Sequence, residues 1–110
     1  MRISTEDYQG IKIISLIGKI DSSTYRELES EMLRIAEQPP GKILVDCSQL
    51  EFLSSSGIRV FYLVAKKLEK FNGKLVFMNP NENILRVFEI IDFSSDFSIQ
   101  NDLASALKEF

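Results

Sequence analysis

Histidine and tryptophan are absent from this 110-residue sequence, and cysteine occurs once. Without histidine the chain cannot by itself assemble a Ser-His-Asp or Cys-His nucleophilic device, nor a histidine-ligated zinc or iron site. The lone Cys47 closes no internal disulfide, which fits a reducing, cytoplasmic setting. No apolar run approaches the roughly 20 residues needed to cross a bilayer, and residues 1–7 show no signal-peptide hydrophobic region, so no membrane role is expected. Lys and Arg number 13 against 16 Asp and Glu, a net charge of −3 that argues against a surface gripping nucleic acid or anionic lipid. No glycine-rich phosphate loop of the P-loop type is present either. These absences predict a protein partner, no cofactor, no metal and no enzymatic activity.

What is present alternates strand-like and helix-like segments without a linker or low-complexity tract, and 45% hydrophobic content suits one compact domain over residues 1–110. Residues 2–8 and 11–20 read as two strands turning at Gln9-Gly10. Asp21-Ser22-Ser23 offers capping groups to a helix whose apolar positions are Tyr25, Leu28, Met32, Ile35 and Ala36, stopped by Pro39-Pro40. Residues 42–46 and 74–78 read as buried strands. Between them, Ile58, Phe61, Val64, Ala65, Leu68 and Phe71 form one helical stripe closed by Asn72-Gly73. Asn81 or Asn83 caps a third helix, residues 97–99 suggest a short edge strand, and residues 102–108 a final helix with Leu103, Ala106 and Leu107 inward. Phe88, Ile90, Ile91 and Phe93 read as core. The expected fold is α/β, a mixed and mostly parallel sheet with about four helices packed on it and right-handed crossovers.

The densest signal is Ser54-Ser55-Ser56-Gly57, which follows an apolar run and opens a helical pattern. Serine competes with backbone hydrogen bonding inside a helix and is favoured at its N-terminus, so the triplet marks a helix start. That start also suits an anion, including a phosphate carried on one of the serines. In an α/β sheet such residues fall beyond the carboxyl ends of the strands, where functional groups gather. Simple capping is the rival account of the triplet, and the same choice between capping and partner contact applies to Asp21 and Ser22. Gly57 either allows a close approach by a partner or relieves packing against the sheet.

Gly18-Lys19-Ile20-Asp21, Ile43-Leu44-Val45-Asp46-Cys47-Ser48, Phe52-Leu53-Ser54-Ser55-Ser56-Gly57-Ile58 and Asn79-Pro80 resemble, in order and spacing, the successive blocks of the STAS domain. Within that family the chain is most similar to bacterial anti-sigma factor antagonists. The resemblance implies a module that binds an anti-sigma factor serine kinase, displaces the sigma factor, is inactivated by phosphorylation and is restored by a serine phosphatase. It also implies that Ser55 is the phosphoacceptor, Ser56 the following hydroxyl and Gly57 the family glycine. Where the family has aspartate this chain has Ser54, which removes a carboxylate beside the acceptor. The alternative is a STAS accessory or nucleotide-sensing module of a transporter or other signalling complex that never meets a sigma factor.

Helical geometry adds a surface. Stepping 100° per residue from Ser55 puts Arg59 one turn later on nearly the same face, with Val60 and Leu63 outside the apolar stripe beside Ser56 and Lys67. A docking strip of Ser56, Arg59, Val60 and Leu63 is therefore expected, with Ser55 at its upper edge. Lys66, Lys67, Glu69 and Lys70 read as the solvated face of the same helix.

Overall fold

The computed structural model describes residues 1–110. Strands β1 (Arg2–Tyr8) and β2 (Ile11–Ile20) form an antiparallel hairpin. Its two-residue turn holds Gln9 at φ 51° and Gly10 at φ 82°, the paired left-handed conformation whose twist matches the flanking strands. Helix α1 (Tyr25–Ala36) leads to β3 (Lys42–Asp46), β4 (Leu50–Leu53) and helix α2 (Ser55–Leu68). A 3₁₀ turn, Glu69–Phe71, then precedes β5 (Lys74–Met78). Helix α3 (Glu82–Ile90), a second 3₁₀ turn at Phe93–Ser95, β6 (Ser98–Gln100) and helix α4 (Leu103–Leu107) complete the chain.

The six-stranded sheet runs β1-β2-β3-β5-β6, parallel except for the β1–β2 pair, with β4 set off the path against the end of β2. Strand β2 pairs with β3 over Lys12–Ser15 and then with β4 over Gly18–Ile20. The change of partner needs a break in the ladder, and Gly18 supplies it at φ 103°, beside a register shift. Strand β4 is not separable in the sequence from the run into the serines: it has four residues, and its partner residues on β2 lie 32 to 33 positions upstream.

Both faces of the sheet are covered, which is why β2, β3 and β5 are apolar at consecutive positions instead of alternating. Ile14, Leu16, Ile43, Val45, Leu75 and Phe77 turn toward the larger core, shared with α1, α2 and α3. Ile11, Ile13, Leu44, Val76 and Met78 turn the other way, under Ala106 of α4. The thirty buried residues include no charged or polar side chain.

Several expectations are corrected by the packing. Ile90 is 76% exposed and Ile91 is exposed as well, because α3 ends at Ile90 and Asp92 turns the chain at φ 54°, leaving only Phe88 and Phe93 of that group in the core. Phe71 and Leu103 are exposed rather than inward. Phe97 is buried but precedes the sixth strand, which begins one residue later at Ser98 opposite Val76. Of the two asparagines offered as a cap, Asn81 serves: its Oδ1 accepts from the Ile84 N–H at 3.0 Å, while its Nδ2 donates to the Leu50 carbonyl at 2.6 Å.

Candidate functional site at the N-terminus of the second long helix

The carboxyl ends of β2 and β4 lie side by side, so the helices that follow them, α1 and α2, begin at one pole of the molecule. The Ser54 N–H donates to the Ile20 carbonyl at 2.9 Å, fixing the start of α2 against the end of β2. The two helices pack in parallel: Tyr25 at the head of α1 shares a shallow cleft of about 300 Å³ with Ser55, Ser56 and Arg59. At the far end, Lys67 pairs with Glu37 just beyond α1 at 2.7 Å.

The three serines have three different situations. Ser54, in extended conformation, is the N-cap, and its hydroxyl accepts from the Gly57 N–H at 3.3 Å. Ser56 is half-buried beside Tyr25. Ser55 is exposed, and its hydroxyl makes no hydrogen bond within the chain. Capping thus accounts for Ser54 and leaves the Ser55 hydroxyl free. Gly57 is fully enclosed: a Cβ there would lie 2.6 Å from Ile20 Cγ2 and 2.7 Å from Leu53 Cδ1, so the glycine answers to packing against the sheet and presents nothing to a partner. A helix that must lie this close to β2 and β4 needs a residue without a side chain at its first turn.

Asp21 and Ser22 precede α1. Asp21 Oδ1 accepts from the Ser23 N–H at 2.9 Å and from the Ser23 hydroxyl at 2.7 Å, closing an Asx turn. Those bonds, the hydroxyl contact foremost, hold the Asp21 carboxyl below the usual aspartate range. Thr24 occupies the N-cap position without capping; its hydroxyl donates to the Lys19 carbonyl and accepts from the Asp21 N–H, each at 2.9 Å. Thr24 was missed in the sequence because it ties two loop residues together and leaves the helix end itself uncapped. Ser22 is exposed.

The expected docking strip is altered in one member. Val60 is fully buried in the large core with Leu28, Met32 and Ile35 of α1, so it cannot meet a partner. Helical periodicity alone marks one buried stripe facing the sheet, whereas the folded α2 has a second covered flank facing α1. Ser56, half-buried Lys67 and Val60 lie on that flank. Arg59 is exposed and has no ion pair, and Leu63 is 39% exposed. The accessible strip is therefore Ser55, part of Ser56, Arg59 and Leu63.

Cys47, between β3 and β4, is completely buried, and burial, reinforced by the neighbouring Asp46 charge, pushes its thiol far above the ordinary range. No group of three or more metal-ligating side chains converges anywhere in the chain. No helix is long and apolar enough to cross a membrane.

The STAS domain family model matches residues 2–106. This chain belongs to the STAS domain family. A Bordetella bronchiseptica protein described as a candidate anti-sigma factor antagonist, BtrV, is 31% identical over 110 residues, covering all of this STAS chain and 95% of its own. Among solved structures, a candidate anti-sigma factor antagonist from Thermotoga maritima superposes with a TM-score of 0.90 at 16% identity, covering 97% of this chain and 92% of that one. The anti-sigma factor antagonist SpoIIAA of Bacillus, in its unphosphorylated form, gives 0.82 at 18% identity over 98% of this chain and 95% of its own. At such identities the two structures establish the fold, a mixed six-stranded sheet with four helices, as the alternation of segments predicts.

Proposed function

We propose that this STAS domain is an anti-sigma factor antagonist that docks a serine-kinase anti-sigma factor through the exposed flank of α2, and that phosphorylation of Ser55 abolishes docking. The observation that carries the reading is the division of labour within the serine triplet. Ser54 is engaged as a cap and Ser56 is half-buried, while Ser55 projects its hydroxyl freely at the first turn of α2. A kinase needs an accessible hydroxyl with no competing internal partner. The naming of BtrV as an anti-sigma factor antagonist supports the same role.

A phosphate on Ser55 adds about −1.5 to −2 charges at a helix N-terminus, where the dipole and free N–H groups favour an anion. The helix therefore keeps its fold when modified. Loss of docking follows from the bulk, hydration and charge of the phosphate inside a contact that accepted a neutral hydroxyl. Arg59, at i+4 on the edge of the same cleft, is placed to pair with that phosphate in cis.

The test is phosphorylation of the full chain by the serine-kinase anti-sigma factor of the same cell, mapped by mass spectrometry and coupled to binding measurements. Ser55→Ala should take up no phosphate and still bind. Ser55→Asp should bind at least about tenfold more weakly, a loss of about 1.4 kcal/mol. Phosphate found on Ser54 or Ser56, or undiminished binding by Ser55→Asp, contradicts the reading. The accessory-module alternative predicts no modification of Ser55 by such a kinase, so the same experiment separates the two.

A further inference from the structure

We propose that the C-terminal half of α2 is the anchoring part of the same docking surface, and that it takes an acidic segment of the partner protein with an apolar side chain seated on Leu63. The inference rests on the docking role proposed above and adds to it the chemistry of the partner.

Helix α2 carries Arg59, Lys66 and Lys67 and no acidic residue over its 14 positions, in a chain of net charge −3. Ser55, Arg59, Leu63, Lys66 and Lys70 follow one another at spacings of three and four, which places them along one exposed ridge. Leu63, Lys66, Lys67, Glu69 and Lys70 line a shallow groove of about 560 Å³ on that ridge. Lys67 is engaged by Glu37, but Lys66 and Lys70 form no ion pair. The groove's lining holds three lysines against one acid, Glu69, and Glu37 pairs with Lys67 at its edge, so positive charge is in surplus there while the whole molecule is negative.

A groove with surplus positive charge and a half-exposed leucine at its edge is complementary to carboxylates flanking an apolar residue. From Ser55 to Lys70 the helical rise gives about 22 Å. A standard interface of about 800 Å² per partner is about 30 Å across, so one footprint covers both the serine and the groove. The arrangement also gives phosphorylation a second effect. The ridge surplus amounts to a few charges at most, and a phosphate of about −2 at its upper end largely cancels the attraction that draws an acidic partner in.

Two measurements on the full chain test this. In the first, isotope-labelled protein is titrated at low salt with a synthetic peptide alternating glutamate and leucine. Resonance shifts centred on Leu63, Lys66, Lys67 and Lys70, lost in the Lys66→Glu/Lys70→Glu variant, are expected. Absence of shifts, shifts centred elsewhere, or retention on phosphatidylglycerol vesicles in place of peptide binding overturns the proposal. In the second, association with the serine-kinase anti-sigma factor is timed. The double variant should associate about tenfold more slowly at low salt, with the difference erased near 1 M salt, where the screening length falls to about 3 Å. Equal rates for the two proteins at low salt overturn the proposal. Failure of the unmodified chain to bind that kinase at all refutes the preceding functional reading, and the peptide titration then decides the groove by itself.

Discussion

Gly57 sets how closely α2 approaches the sheet. Replacing a helical glycine by alanine ordinarily gains about 1 kcal/mol of helix propensity. Here the added methyl would press on Ile20 and Leu53 at 2.6 and 2.7 Å, and both side chains are buried and cannot swing away into solvent. Overpacking of that kind costs about 1–3 kcal/mol, so Gly57→Ala should destabilise by up to about 2 kcal/mol net. Urea unfolding should show a lower midpoint with an unchanged slope. Ser54 makes the opposite kind of contribution. Ser54→Ala removes the cap and should lose about 0.5–1 kcal/mol, the lower part of the range because the bond is 3.3 Å long. Ser54→Asp, which restores the family's residue, keeps a capping oxygen and adds a favourable charge of about 0.3–1 kcal/mol at the helix N-terminus. Its unfolding midpoint should equal or exceed that of the natural chain.

At the scale of elements, α2 is held on three sides: by the sheet below, by α1 along one flank and by the turn after α3 along the other. The third contact runs through Tyr62, whose hydroxyl donates to Asp96 Oδ2 at 2.7 Å and whose ring meets Phe93 and Phe97 edge-on. Partial removal of water, followed by the Asp96 hydrogen bond and the Asp96 and Asp92 charges, pushes the phenol up to about 12. A group whose folded pKa lies above its unfolded value of about 10 favours folding in its protonated form. Its stabilising effect is complete below pH 10 and disappears as the pH rises toward 12. Ultraviolet titration should find one tyrosine ionising late, and Tyr62→Phe should remove that step and flatten the fall in stability over the same interval. Helix α2 was legible in the sequence as an amphipathic segment opened by serines. Its second covered flank was not, because Val60 is buried by α1, a partner that a single helical wheel does not contain.

The whole molecule is organised around aromatic packing between α2, β5 and the chain after α3. Phe93 stacks on Phe88 with centroids 4.4 Å apart and meets Phe61 and Phe77 edge-on at 6.3 and 5.0 Å. Removing it opens a cavity where four elements converge. Phe93→Ala should cost about 3–5 kcal/mol and lower the thermal midpoint by well over ten degrees in calorimetry. Ile90, three positions earlier and similar in hydrophobicity, should tolerate alanine nearly unchanged because it is already 76% exposed.

Composition and pattern alone determined the alternation of strands and helices, the α/β class, the helix start at the serines and the absence of histidine chemistry. Each of these follows from local preference or from residue supply, and neither depends on distant neighbours. Tertiary structure decided the rest. It left Ser55 as the exposed hydroxyl among three, enclosed Gly57 and Val60, turned Ile90 outward, and paired β4 with the far end of β2. Burial and pairing are properties of whichever surfaces meet across the fold, and periodicity along one segment carries no record of the partner that covers it.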